Sequence, residues 1–177
     1  FVWSLNAENL KKVMHLRKLV VAGLLVVIVQ IALGGWTTSN YAALACPDLP
    51  TCHGEWVPEM DFASGFNVLQ HIGPNYLGGQ LDNTARTAIH FAHRVGAVAV
   101  TVLLMLLVFC LWRTRIKKCQ NMALVLLLAL FAQVSLGISN VFFGLPLFVA
   151  VAHNGMGAIL LLVMVTLTHR LFTAQNQ

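Results

Sequence analysis

Two histidines, His93 and His153, lie inside long apolar stretches of this 177-residue chain. A small residue follows each one turn further along a helix, Ala97 after the first and Gly157 after the second. An ionisable side chain within a membrane span is energetically expensive and is a functional candidate by default. Two imidazoles that face each other in a helical bundle suit a six-coordinate haem iron, and small neighbours leave room for a flat macrocycle. Core histidines bonded to backbone or hydroxyl groups are the alternative.

The composition indicates a membrane protein. Hydrophobic residues make up 58% of the chain and charged residues 10%, whereas soluble domains average about 45–50% and about 25%. Disorder and an ordinary soluble enzyme are therefore excluded. Nine of the eleven basic residues flank apolar runs, which is typical of membrane topology signals and argues against a nucleic-acid partner.

Four apolar segments are long enough to cross the bilayer as helices. They cover residues 19–38, 87–112, 121–142 and 147–169. Gly144-Leu145-Pro146 separates the last two, since Pro interrupts a helix and Gly permits a tight reversal. The runs are continuous rather than alternating, which excludes a β-barrel. We predict an all-α membrane protein, a four-transmembrane-helix bundle that forms a single domain over residues 1–177.

The distribution of charge predicts the topology. Basic clusters lie before the first span, after the second and at the end of the last, whereas five of the six acidic residues lie in 39–86. By the positive-inside rule, both termini are cytoplasmic and 39–86 is an external loop. We expect a multi-pass protein of a bacterial cytoplasmic membrane.

A short motif occurs twice. Gln30-Ile31-Ala32-Leu33-Gly34 closes the first span, and Gln133-Val134-Ser135-Leu136-Gly137 lies late in the third. In the span that follows each motif, a histidine lies near the external end, about 9 Å below the edge at 1.5 Å per residue. The repeat predicts two similar helix pairs related by a pseudo-twofold axis along the membrane normal.

The external loop contains Cys46 and Cys52, with Pro47 and Pro50 between them. An oxidising compartment and a bent five-residue spacer favour a disulfide. Two unpaired thiols, or a metal site completed by His53, are weaker alternatives because the spacing fits no common zinc pattern.

Further motifs follow one another in a fixed order. They are Leu33-Gly34-Gly35-Trp36-Thr37, Asn40-Tyr41-Ala42-Ala43, the cysteine pair with Trp56, His90-Phe91-Ala92-His93-Arg94 and His153-Asn154-Gly155. With these motifs the chain resembles one half of haem A synthase over nearly its whole length. That family is an eight-helix inner-membrane oxidoreductase built from two similar four-helix halves, and the resemblance is to the C-terminal half.

The resemblance implies that His93 and His153 are the axial iron ligands of haem b and that Cys46 and Cys52 form the loop disulfide of the family. The whole enzyme oxidises a methyl of haem O to the formyl of haem A. Haem O would then be its substrate, and an N-terminal-type half and haem O synthase its protein partners. The catalytic half of the family has a glutamate three residues before its ligand histidine. This chain has His90 there, which puts independent catalysis in doubt.

Four further residues are candidates at the haem: His90, Arg94, Ala97 and Gly157. His90 could bond a haem propionate, replace His93 as ligand, or be a core or interfacial residue. Arg94 pairs either with a propionate or with helix carbonyls.

Two other functions compete with haem A synthesis. A b-type cytochrome for electron transfer alone would use the same two histidines. A four-helix membrane thiol oxidase is a distant third, because it needs a Cys-x-x-Cys and a second external pair that this sequence lacks.

Overall fold

The computed structural model describes residues 3–69 and 81–176. The described helices are, in chain order, α1 (Ala7–His15), α2 (Arg17–Ser39), α3 (Phe62–Gly65), α4 (Asn83–Arg113), α5 (Lys117–Phe142) and α6 (Leu147–Phe172). The long helices are apolar enough to cross a membrane, with α1 continuing almost directly into α2. The predicted all-α membrane bundle is therefore confirmed, and each predicted span lies within one helix.

Local capping explains why α4 begins before its predicted span. The Asp82 carboxylate accepts a hydrogen bond from the Ala85 N–H at 2.9 Å. It thereby caps α4 one turn before residue 87, where the apolar run begins. The hairpin before α6 is where the sequence predicts it, because Gly144 takes φ +67° and Pro146 precedes the first helical residue.

The long helices form a four-sided bundle. Helix α2 packs on α4, α4 on α5, α5 on α6, and α6 back on α2. Helices α4 and α6 therefore occupy opposite corners and run in the same direction. We call the end that contains residues 40–82 the loop end and the opposite end, with Arg17 and Lys117, the basic end.

The interior of the bundle is filled unevenly. Towards the basic end, large apolar side chains are fully buried, among them Leu104, Leu107, Leu126, Met164 and Leu167. Towards the loop end, residues 28–36, 91–99, 131–139 and 145–156 include no buried residue. The side chains are thus most deeply buried at the basic end, whereas the helix segments around the two candidate histidines include no buried residue.

The basic end is closed by contacts between the chain termini. The short strands β1 (Ser4–Leu5) and β2 (Gln175–Asn176) pair in parallel. The Arg17 guanidinium donates a hydrogen bond to the Leu171 carbonyl at 3.0 Å. The sequence gives no signal for this pairing, because two-residue strands have no periodicity to detect.

At the loop end, α3 is held to the bundle by Trp36, whose indole N–H donates to the Gly65 carbonyl at 2.8 Å. The predicted external loop 39–86 includes residues 70–80, which lie outside the described residues.

Candidate functional site

The His93 imidazole on α4 lies against α2. The Gln30 side-chain amide donates to the Nδ1 atom of His93 at 3.0 Å and to the His93 backbone carbonyl at 2.9 Å. One turn along α2, a Cβ placed on Gly34 would lie 3.2 Å from the imidazole Cε1 atom. The ring therefore packs on a surface formed by the Gln-x-x-x-Gly motif, where any residue larger than glycine would press on it.

The His153 imidazole on α6 lies in the same way against α5. The Gln133 amide nitrogen is 3.5 Å from the Nε2 atom of His153. A Cβ placed on Gly137 would lie 3.1 Å from the imidazole Cε1 atom. The sequence repeat therefore has a structural counterpart, with the pairs α2–α4 and α5–α6 each holding one imidazole.

The two histidines come together across the bundle. They lie on α4 and α6, the helices at opposite corners of the bundle, within segments that include no buried residue. Helix α4 begins a turn before its predicted span, so His93 lies further from the start of its helix than His153 does. Their equivalence rests instead on the matching Gln and Gly neighbours.

Two of the predicted haem neighbours, Ala97 and Gly157, are small residues. A Cβ placed on Gly157 would lie 3.5 Å from the Gln133 amide nitrogen, so Gly157 leaves space beside the amide that contacts His153. Ala97 is half-buried and its carbonyl accepts the Thr101 hydroxyl at 2.7 Å. Each of these residues lies one helical turn from a histidine, on the side nearer the basic end.

His90 faces the loop. Its imidazole is buried, and Nδ1 accepts a hydrogen bond from the Cys46 N–H at 3.1 Å. This contact gives His90 a supporting role beneath the loop, while bonding to a propionate or to iron stays a prediction.

Arg94 also faces the loop. Its guanidinium donates to the carbonyls of Asp48, Thr51 and Cys46 at 2.8, 2.9 and 2.6 Å. Its partners are therefore loop carbonyls and not the predicted helix carbonyls, while pairing with a propionate stays a prediction. A backbone partner of this kind gives no signal in the sequence, since it depends on how the loop folds.

The disulfide between Cys46 and Cys52 is present, and both cysteines are buried. The Asp48 carboxylate accepts hydrogen bonds from the Thr51 hydroxyl and from the Gly54 and His53 amides. These bonds stabilise the charged form and lower the pKa of Asp48 from 3.8 to about 2. The loop is thus tied internally by the disulfide and Asp48, and tied to α4 by His90 and Arg94.

The donor set fits a haem better than a bare metal ion. Within residues 3–69 and 81–176, no group of three or more His, Cys, Asp or Glu side chains is arranged to hold a metal ion. Two imidazoles are too few for such an ion. They suffice for haem, because the porphyrin supplies the four equatorial nitrogens and the protein only the axial ligands.

Sequence reasoning did not assign a role to Gln30 and Gln133. The sequence does contain a signal for them. Each copy of the repeat has a glutamine at the same position within an apolar span, and a polar side chain there needs a polar partner.

In the described part of the chain, four helices are long and apolar enough to cross a membrane, which defines a multi-pass membrane protein. The chain belongs to the COX15-CtaA family of cytochrome oxidase assembly proteins, whose family model matches residues 2–165.

Three relatives are described as heme A synthase. That of Shewanella oneidensis is 48% identical over 160 residues, which are 90% of this chain and 48% of the relative. That of Methylobacterium radiotolerans is 33% identical over 147 residues, 83% and 37% of the two chains. That of Rickettsia felis is 27% identical over 140 residues, 79% and 38%. The chain therefore spans about half, or less, of the length of these relatives. No solved structure matches it.

Proposed function

We propose that this chain is the haem b-binding half of haem A synthase, the membrane oxidoreductase that converts a methyl of haem O to the formyl of haem A. The observation that carries the proposal is the repeated imidazole setting. His93 and His153 each lie on a Gln-x-x-x-Gly surface of the neighbouring helix, on opposite corners of the bundle, within segments that include no buried residue.

The chemistry of the site is electron transfer. A haem with two histidine axial ligands supplies a one-electron redox centre with no open iron position. Within this chain, His93 and His153 would hold the haem iron, and the buried apolar residues of the basic end would keep water from that side of the site. His90 and Arg94 hold the loop to α4, the helix that carries His93.

The orientation in the membrane follows from the charges. The basic end lies in the cytoplasm with both termini, and the loop end lies outside. The Cys46–Cys52 disulfide agrees with that orientation, because disulfides persist in oxidising compartments.

The substrate site is assigned to an N-terminal-type half, on the same chain or as a partner. His90 lies where the catalytic half of the family has a glutamate, and it is occupied in supporting the loop. An electron-transfer cytochrome is the second candidate function, because a site with both axial positions filled serves that role without any substrate.

The ligand assignment predicts the spectra of two variants. We expect the purified full chain, reconstituted with haem b, to show a low-spin reduced-minus-oxidised spectrum, with the haem typed by pyridine extraction. His93→Ala and His153→Ala should each give high-spin iron or lose the haem. His169→Ala, at the basic end of α6, is the control and should keep the low-spin spectrum. An unchanged low-spin spectrum in the double variant would place the site elsewhere.

A further inference from the structure

We propose that a groove at the basic end binds the headgroup of an anionic phospholipid. The groove has a volume of about 540 Å³ and lies between α1 and the last turns of α4. Small-molecule sites typically have volumes of about 300–1,000 Å³. The inference does not depend on the proposed haem site, because none of the residues that line the groove is a candidate haem ligand.

The groove lies at the level where the apolar runs end. On α4 the run ends at Trp112, and Arg113 follows it directly. The first span begins at Leu19, shortly after His15. The polar headgroups of a bilayer lie just outside its hydrocarbon core. The groove therefore opens at the depth of the headgroups.

Two kinds of side chain line the groove, basic and apolar. The basic ones are Lys12, His15 and Arg113, and the apolar ones include Leu16, Phe109 and Cys110. Phe109 is 58% exposed and continues the apolar surface along α4. A phospholipid has the same combination, a charged phosphate with acyl chains beginning beside it, so that an acyl chain would follow Phe109 towards the hydrocarbon core.

The groove keeps a positive charge that the protein does not neutralise. The Arg113 guanidinium lies 5.7 Å from the centre of the Phe109 ring. Among residues 3–69 and 81–176, no carboxylate lies within salt-bridge distance of Arg113 or His15. Lys12 is paired with Glu8 at 2.6 Å, but Glu8 is the one acidic residue outside 39–86.

Other basic residues of this end are occupied by the protein itself. Arg17 donates to two backbone carbonyls at the end of α6. Lys118 donates to a backbone carbonyl of β1 at 3.1 Å, and Arg170 donates to a methionine sulfur at 3.3 Å. Arg113 instead lines an open groove. A guanidinium there can bind a phosphate through two parallel N–H bonds, and basic pockets between membrane helices bind anionic headgroups in this way.

The occupant is a membrane lipid and not free phosphate, because the apolar wall of the groove needs an apolar ligand. An anionic lipid is favoured over a zwitterionic one, whose ammonium group would meet the positive charges of Lys12 and Arg113.

The test uses the delipidated full chain in detergent, with phosphatidylglycerol as the probe. Cys110 lines the groove and is half-buried, whereas Cys119 is fully buried, so the rate at which N-ethylmaleimide labels Cys110 reports occupancy. We expect phosphatidylglycerol to slow this labelling, and phosphatidylcholine or inorganic phosphate to leave it unchanged. Equal slowing by phosphatidylcholine would overturn the selectivity for an anionic headgroup. Slowing by inorganic phosphate would replace the lipid by a simple anion, and no slowing by any of the three would overturn the site.

Two variants that each remove one positive charge separate the groove from the general charge of this end. Arg113→Gln should raise the phosphatidylglycerol concentration for half-protection about fivefold, the usual contribution of one basic residue at an anionic surface. Lys117→Gln, an exposed residue outside the groove, should change that concentration less than about twofold, since its charge is screened by solvent. Without anionic lipid, both variants should unfold at the temperature of the wild type, which excludes a folding defect as the cause. Equal losses of protection in the two variants would show attraction to the whole basic end and overturn the groove as the site.

Discussion

Arg94 carries its charge within α4, next to His93 in the sequence, and three loop carbonyls accept its hydrogen bonds. A charged group so far from bulk water needs partners of this kind, because an unpaired charge in an apolar environment is strongly unfavourable. A guanidinium can bind several carbonyls at once, whereas an ammonium acts as a point charge. An arginine is therefore better suited than a lysine to hold the loop at this position.

Replacing Arg94 should release the loop. We expect Arg94→Ala to lower the free energy of unfolding by about 2–3 kcal/mol, the usual value for hydrogen bonds to a charged group, and Arg94→Lys to recover only part of it. The measurement is thermal unfolding in detergent, together with the rate at which dithiothreitol reduces the Cys46–Cys52 disulfide. Arg113→Ala, an exposed arginine of the same helix, is the control. Equal effects of the two alanine variants would contradict the anchoring role.

The glycines opposite the imidazoles allow a sharper test of the site. A methyl group on Gly34 or Gly137 would lie 3.2 or 3.1 Å from an imidazole Cε1 atom, closer than ordinary van der Waals contact. We expect Gly34→Ala and Gly137→Ala to displace the rings and to lower haem affinity about tenfold or more. Gly35→Ala should have no effect, because nothing lies within 4 Å of its Cβ position. If Gly35→Ala lowers haem affinity as much as Gly34→Ala does, the effect comes from helix propensity and not from contact with the ring.

At the scale of elements, the loop is a small structure with its own polar interior. Asp48 accepts bonds from three groups of the same loop, starting with the Thr51 hydroxyl, and these lower its pKa to about 2. A carboxyl whose folded-state pKa lies below its unfolded value stabilises the fold above the unfolded value. That contribution is lost as the pH falls from about 3.8 towards about 2.

The loop should therefore loosen in acid. We expect the amide hydrogens of His53 and Gly54, which bond the carboxylate, to exchange faster as the pH falls from 4 to 2, after correction for intrinsic rates. In Asp48→Asn the exchange should be fast throughout and lose this pH dependence. Asp82→Asn, which alters the α4 cap alone, is the control and should keep it. If the protection of these amides in the wild type does not depend on pH, the proposed role of Asp48 is refuted.

The elements themselves follow from hydropathy. A run of about 20 apolar residues must form a helix in a bilayer, since backbone groups in lipid can be satisfied only within the segment. Helix ends depend instead on single caps such as Asp82, which extends α4 beyond its apolar run. The histidines are predictable as polar residues in apolar spans. The contacts of Gln30 and Arg94 are not, because their partners come from other elements and are set by packing.

For the whole molecule, the important quantity is the space inside the bundle. The basic half is filled by buried side chains, whereas the helix segments around His93 and His153 include no buried residue. Four-helix bundles hold cofactors between side chains on facing helices, and the proposed haem would occupy that space. Cofactor and substrate would therefore compete for the same place if this chain worked alone.

The chain by itself should bind haem b and leave haem O unconverted. Oxidation of a methyl group needs a bound substrate beside an oxidising centre, whereas the proposed two-histidine site would leave no open position on its iron. The test is expression of residues 1–177 with a source of haem O, in a host that lacks its own synthase, followed by extraction and typing of the haems. Co-expression with an N-terminal-type half is the matched condition, in which haem A should accumulate. Haem A above background from residues 1–177 alone would show that one half suffices, and its absence from both conditions would favour an electron-transfer cytochrome.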